Sequence, residues 1–194
     1  MVMDLEDALQ VVATNRGDQL VIPTMGAIGV WPKISDRPTD FHYMPSSMGQ
    51  GPSLGLGLAL AQPQRGVIVL CGDGSLLMNL GCLVTIAQYP APLWLILLDN
   101  GHYEITGGQP VPGSGHTDYA AIASGAGIRR VFMFDSIDAW RAQAGEVLSG
   151  NGPVFVWLKV QPRPDQRTPA PPRPMNDQIQ RLRQSLGLNS LLGQ

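Results

Sequence analysis

A chain of 194 residues has room for one ordinary domain and a tail but not for two complete catalytic domains, and its 13 basic and 15 acidic side chains leave a formal net charge of only -2, which offers no electrostatic footprint for nucleic acid. Charged residues make up 14% of the chain, where about 25% is usual, so part of the surface is expected to be covered by another subunit. Cys71 and Cys82 lie in apolar surroundings without CxxC spacing, which excludes a cysteine-held iron-sulfur cluster or zinc knuckle within the chain and points to a reducing compartment.

The elements follow in chain order. Leu5, Ala8, Leu9 and Val12 recur at helical spacing between Asp4 and Thr14, and Gly17-Asp18 breaks the pattern before a short strand, Leu20-Val21-Ile22. Prolines and glycines punctuate a loop-rich stretch from Thr24 to Pro45. A helix is predicted from Gly49 to Ala61, with small residues (Gly51, Gly55, Gly57, Ala59, Ala61) inviting close approach of either the chain's own sheet or a second subunit. The continuous apolar runs 66–71 and 93–98 lack polar alternation and read as strands buried on both faces of a parallel sheet. Leu76, Leu80, Leu83, Val84 and Ala87 place a helix between them, giving a βαβ unit. A short helix at 119–124, a strand at 130–134, a helix at 137–148 and a strand at 154–160 continue the alternation. The expected fold is α/β, a three-layer α/β/α arrangement with a mainly parallel sheet over residues 1–161. A Pro-rich connector and a short helix around 177–186 form the tail, residues 162–194, which is expected to reach outward. No apolar run approaches the ~20 residues of a bilayer span and no leader-like segment opens the chain, so a soluble cytoplasmic protein without membrane or nucleic-acid partners is expected.

The chemistry concentrates at the ends of the two apolar strands. Gly72-Asp73-Gly74-Ser75 follows the first strand and opens a helix, the edge at which open parallel sheets bind ligands. Its glycines let backbone approach an anion, and the helix start offers N–H groups to a phosphate. A carboxylate beside a phosphate is repulsive unless a cation lies between, so Asp73 asks for Mg²⁺ shared with a diphosphate. The second strand ends in Asp99-Asn100-Gly101; a right-handed crossover brings both strand ends to one edge, where Asp73 and Asn100 can converge on one ion. Taken singly, Asp-Gly and Asn-Gly are also ordinary turn dipeptides.

Gly72-Asp73-Gly74-Ser75 followed by Asp99-Asn100 resembles the cofactor motif of thiamin-diphosphate-dependent decarboxylases, with Asp99 where the family has the first of two asparagines. The resemblance runs from about Leu20 to about Val160 and includes Ser46-Ser47-Met48-Gly49 and Thr106-Gly107-Gly108-Gln109. Within that superfamily the chain looks most similar to sulfopyruvate decarboxylase β subunits and the C-terminal part of phosphonopyruvate decarboxylases. The resemblance implies Asp73, Asn100 and the His102 carbonyl as Mg²⁺ ligands. It further implies that Gly72, Gly74, Ser75, Gly101 and the backbone around Ile105 hold the diphosphate of thiamin diphosphate. Met48 would lie under the thiazolium, and the Ser46 carbonyl would accept from the aminopyrimidine. Without the resemblance Met48 reads equally as a core methionine, and His102 is a proton relay or a structural histidine.

The family's activating glutamate belongs to a separate pyrimidine-binding domain for which this chain has no room, and Glu6 and Glu104 are poor substitutes. The resemblance therefore implies half an active site, completed by a pyrimidine-domain α subunit in an α₂β₂ or larger assembly acting on a small 2-oxo acid. A carboligase of the acetolactate type, a non-catalytic cofactor-binding or regulatory subunit, and a flavodoxin-like module are the other readings. His42 is expected to pack, His116 to face solvent, and Thr106-Gly107-Gly108 to be a lid or an irregular turn.

Overall fold

The computed structural model describes residues 2–44, 47–163 and 170–188. Five parallel strands form one sheet in the order β1-β2-β3-β7-β6. β1 is Leu20–Pro23, β2 Val67–Gly72, β3 Leu93–Asp99, β6 Arg130–Phe134 and β7 Val154–Lys159. A two-residue antiparallel pair, β4 (His102–Tyr103) with β5 (Gln109–Pro110), stands outside the sheet. Val21, Ile68, Leu70, Ile96 and Val156 face one apolar cluster, shared with α1 (Leu5–Asn15) and α7 (Ile137–Ser149). Ile22, Val69, Leu95, Leu97 and Phe155 face a second, shared with α3 (Gly51–Ala61), α5 (Gly81–Gln88) and α6 (Tyr119–Gly125). Covering both faces is what makes the strand sequences continuously apolar rather than alternating.

Local chemistry sets the boundaries. The Asp4 side chain accepts from the backbone N–H groups of Glu6 and Asp7 and starts α1, whose Leu5, Ala8, Leu9 and Val12 are buried. In α3 the small residues divide by face. A Cβ on Gly55 would overlap the Val69 Cγ2 methyl and come within 3.2 Å of Leu93, and one on Gly51 would sit 2.8 Å from Thr24 Cγ2, whereas Gly57 faces open space. Gly51 and Gly55 thus serve close packing on the chain's own sheet. Gly55→Ala should lower stability by about 1–3 kcal/mol, because β-branched Val69 cannot swing aside. Urea unfolding measures it, and an unchanged midpoint would contradict the packing account.

Three expectations need correction. The stretch from Thr24 to Pro45 carries a 3₁₀ turn at Met25–Gly29 and a four-residue helix, α2 (Trp31–Ile34), which drops fully buried Trp31 into the first cluster. The helix between β2 and β3 is two pieces, α4 (Asp73–Leu77) and α5, broken at 78–80, where the Asn79 amide donates to the Gly49 carbonyl at 3.1 Å. The tail does not reach outward in its described part. α8 (Met175–Ser185) folds back, burying Gln178 and Leu182, and Arg173 and Arg181 both bond Asp36 at 2.7–2.8 Å. Proline biases the connector toward extended backbone but does not choose its direction; Met175, Leu182 and Leu186, packing on the second cluster, do. Among the described residues no helix is long and apolar enough to cross a membrane.

Candidate functional site

The carboxyl ends of β1, β2 and β3 open on one pocket. In the β2–β3 register Gly72 lies opposite Leu98, so Asp73 and Asp99, the next residues, emerge side by side. The chain turns into α4 at Asp73, leaving the N–H groups of its first turn without intrahelical acceptors. Gly74 must be glycine, because a Cβ there would overlap the Tyr103 ring and lie 3.0 Å from Val111. Gly101 adopts φ +71°, in the left-handed region, and a Cβ would overlap the Ser114 hydroxyl. That turn aims the Gly101 N–H at Asp73 Oδ2, 3.0 Å away.

Asp73 is 2% exposed. Burial, and next the neighbouring Asp99 carboxylate, push its carboxyl up to about 7. Asp99 in turn accepts from the Trp157 indole Nε1 at 2.8 Å, and the Lys159 ammonium stands 4.9 Å from the Trp157 ring. Asn100 Oδ1 accepts from the His102 backbone N–H at 2.9 Å, and His102 Nδ1 lies 2.9 Å from the Asn100 carbonyl. A carbonyl only accepts, so Nδ1 carries the proton, and Nε2 is the free basic nitrogen of the neutral ring. Among the described residues no cluster of three His, Cys, Asp or Glu side chains is placed to hold a metal. Any ion here would rely on Asp73 together with amide and backbone oxygens, a hard-oxygen set suited to Mg²⁺.

Of the residues expected at the site, Met48, Gly72, Asp73, Gly74, Ser75, Asn100, His102 and Ile105 all line this pocket. Gly101 is absent from the lining and acts through its N–H on Asp73. Ser46 lies outside the described residues. Met48 is half-buried, and its turn is tied to α4: the Gly49 N–H donates to the Ser75 hydroxyl at 3.0 Å, and the Gly49 carbonyl accepts from Asn79. The pocket also includes Thr24, Met25, Gly26, Tyr103 and Glu104, which the sequence did not single out as site residues. Met25 is the one non-glycine with positive φ, +48°, among the described residues, a local strain at the pocket wall. A Thr-x-Gly directly after a strand was the available signal. Glu104 is pinned by Arg163, whose backbone N–H donates to Oε1 at 2.5 Å.

Elsewhere, His42 is fully buried, as expected of a packing residue, and burial lowers its pKa; His116 is exposed. Thr106-Gly107-Gly108 forms the turn joining β4 to β5, with both glycines at positive φ. Cys71 and Cys82 are free, buried thiols, with burial pushing Cys71 up to about 12 and Cys82 up to about 11, so neither is a reactive nucleophile.

Comparison with known proteins gives concordant results. Residues 25–158 match the family described as thiamine pyrophosphate enzyme, C-terminal TPP binding domain. The chain is 39% identical over 168 residues to the sulfopyruvate decarboxylase subunit beta of Methanothermobacter thermautotrophicus, covering 84% of each protein. It is 39% identical over 130 residues to the phosphonopyruvate decarboxylase of Streptomyces hygroscopicus, covering 66% of this chain but 32% of that protein. Among solved structures, the thiamine diphosphate-dependent 4-hydroxybenzoylformate decarboxylase of Rhodococcus jostii RHA1 superposes with a TM-score of 0.68 at 24% identity, over 82% of this chain and 33% of that one.

Proposed function

Because the chain belongs to the thiamine pyrophosphate enzymes, as their C-terminal TPP-binding domain, we propose that it is the β-type subunit of a heteromeric, Mg²⁺-dependent decarboxylase of a 2-oxo acid of the sulfopyruvate or phosphonopyruvate kind. The observation that carries this reading is the buried Asp73 carboxylate at the strand edge, beside Asn100 and His102, in a chain that matches a sulfopyruvate decarboxylase β subunit over most of its length. A carboxylate packed against a second carboxylate is poorly placed for any ligand except a cation, and a dication satisfies both it and a diphosphate. Asp73, the Asn100 amide oxygen and the His102 carbonyl would hold Mg²⁺. Gly72, Gly74, Ser75 and Ile105 would form the diphosphate cradle, which the close Gly74–Tyr103 approach keeps compact, while Gly101 steadies Asp73 through its N–H. When bound, thiamin diphosphate supplies the electron sink that lets a 2-oxo acid lose CO₂. Met48 supplies an apolar wedge that competes for no hydrogen bond, the Ser46 carbonyl an acceptor, and His102 Nε2 a base for proton transfer.

A partner with a pyrimidine-binding domain belongs to this reading because none of the three glutamates of this sequence is placed as the activating acid. Glu6 and Glu146 are exposed on α1 and α7, and Glu104 is held by Arg163. Exposed Leu60, Val84 and Tyr89 on α3, on α5 and just beyond it support an apolar contact surface. The reading is tested by purifying the complex and measuring CO₂ release from sulfopyruvate and phosphonopyruvate. Release should need both chains, thiamin diphosphate and Mg²⁺. A partner whose rate per site is unchanged when this chain is withdrawn would make it a regulatory subunit instead. In the same assay Met48→Ala should lower kcat about tenfold or more with cofactor affinity nearly unchanged, whereas equal losses in both would mark Met48 as core packing.

A further inference from the structure

Glu104 presents a chemical problem for this pocket. Its side chain is 6% exposed and lines the same wall as Asp73 and Gly74, yet among the described residues the lining contains no lysine or arginine. A buried carboxylate there would repel a diphosphate whatever cation Asp73 holds. Arg163, 59 residues further on at the start of the tail, meets it. Its backbone N–H donates to Glu104 Oε1 at 2.5 Å, and its guanidinium Nη2 stands 3.7 Å from Oε2 and donates to the Gly26 carbonyl at 3.4 Å. Among the described residues the guanidinium is not saturated. Nε is buried without a partner among the described residues, and the 3.7 Å approach to Glu104 is an ion pair rather than a hydrogen bond.

We propose that Arg163 is a charge-compensating residue of the diphosphate pocket, cancelling the Glu104 carboxylate so that a phosphoryl anion can be accommodated against that wall. This rests on the function proposed above and extends it, by making the first residues after β7 part of the ligand site rather than a connector. Arg163 is a positioning residue; it acts through Glu104.

The experiment titrates the full-length chain with inorganic pyrophosphate and Mg²⁺ by calorimetry. Arg163→Gln should weaken binding about tenfold, and Arg163→Lys, which keeps the charge, should stay within about threefold of the parent. Glu104→Gln should bind at least as well as the parent, and Glu104→Gln combined with Arg163→Gln should recover to within about threefold of Glu104→Gln alone. A merely structural role for Arg163 predicts no such rescue. Arg163→Gln within twofold of the parent, or an equal loss in the Glu104→Gln background, overturns the inference. Asp73→Asn separates it from its premise. Loss of probe binding there, with Arg163→Gln unaffected, sinks the inference and leaves the proposed function standing. A parent chain that does not bind the probe, or binds it regardless of Asp73, sinks the proposed function itself.

Discussion

Asp73→Asn should abolish Mg²⁺-dependent retention of thiamin diphosphate, weakening it at least about a hundredfold, since even partners of metal ligands typically contribute ten- to hundredfold. The same substitution should make the cofactor-free protein more stable above neutral pH. Burial and the Asp99 carboxylate raise the Asp73 carboxyl from its ordinary 3.8 to about 7. Between those values the folded cation-free chain keeps a proton that the unfolded chain has lost, so native binds more protons and stability falls as pH rises from about 4 to about 7. The asparagine variant lacks that slope and should melt several degrees higher than the parent at pH 8. Conversely, in the proposed site Mg²⁺ would compete with the proton on Asp73, so the rise in melting temperature on adding Mg²⁺ and cofactor should grow through the same window and level off above about pH 7. Thermal melts of both proteins from pH 5 to 8, with and without Mg²⁺, check both parts. A parent whose cation-free stability is flat across that range would contradict the assignment.

Gly74→Ala is the second large effect. The added methyl would occupy the space of the Tyr103 ring, coming to 2.7 Å from Cδ1 as well as overlapping Cε1, and would press on Val111 at 3.0 Å. Tyr103 belongs to β4, between His102 and Glu104, so the ring cannot retreat without carrying the loop that bears His102 and Ile105. Overpacking of this kind costs about 1–3 kcal/mol, and because the strain falls on the proposed cradle rather than the core it should appear as cofactor affinity, roughly ten- to hundredfold weaker. Cofactor titration of the assembled complex measures it. A variant with normal affinity but lowered melting temperature would show that the contact is structural only.

Strand positions were legible in the sequence because a sheet covered on both faces leaves an uninterrupted apolar run, and 66–71, 93–98, 130–134 and 154–160 lie within a residue of the observed strands at each end. The strand-edge motif stood out only as a pair: Asp-Gly and Asn-Gly are ordinary turn dipeptides singly, but at the ends of two adjacent apolar runs they face one sheet edge. What escaped depended on partners distant in sequence. The break at 78–80 reflects the Asn79 amide reaching Gly49, 30 residues earlier. The fold-back of α8 reflects Asp36, 145 residues before Arg181, together with packing on the second apolar cluster. The Thr24–Gly26 wall enters the site only because β1 lies next to β2. Glu104 was visible as a loop acid, but its counter-charge Arg163 sat in a segment whose proline content masked any site role.

In the proposed site one divalent cation is held by Asp73 and Asn100 against the cofactor's diphosphate. The most direct measurement is anomalous diffraction from crystals of the complex grown with Mn²⁺ and thiamin diphosphate. The expected result is a single manganese peak held by an Asp73 carboxylate oxygen, Asn100 Oδ1 and the His102 carbonyl, beside the diphosphate. Cofactor bound with those oxygens turned away from the metal, or manganese held elsewhere, would contradict it.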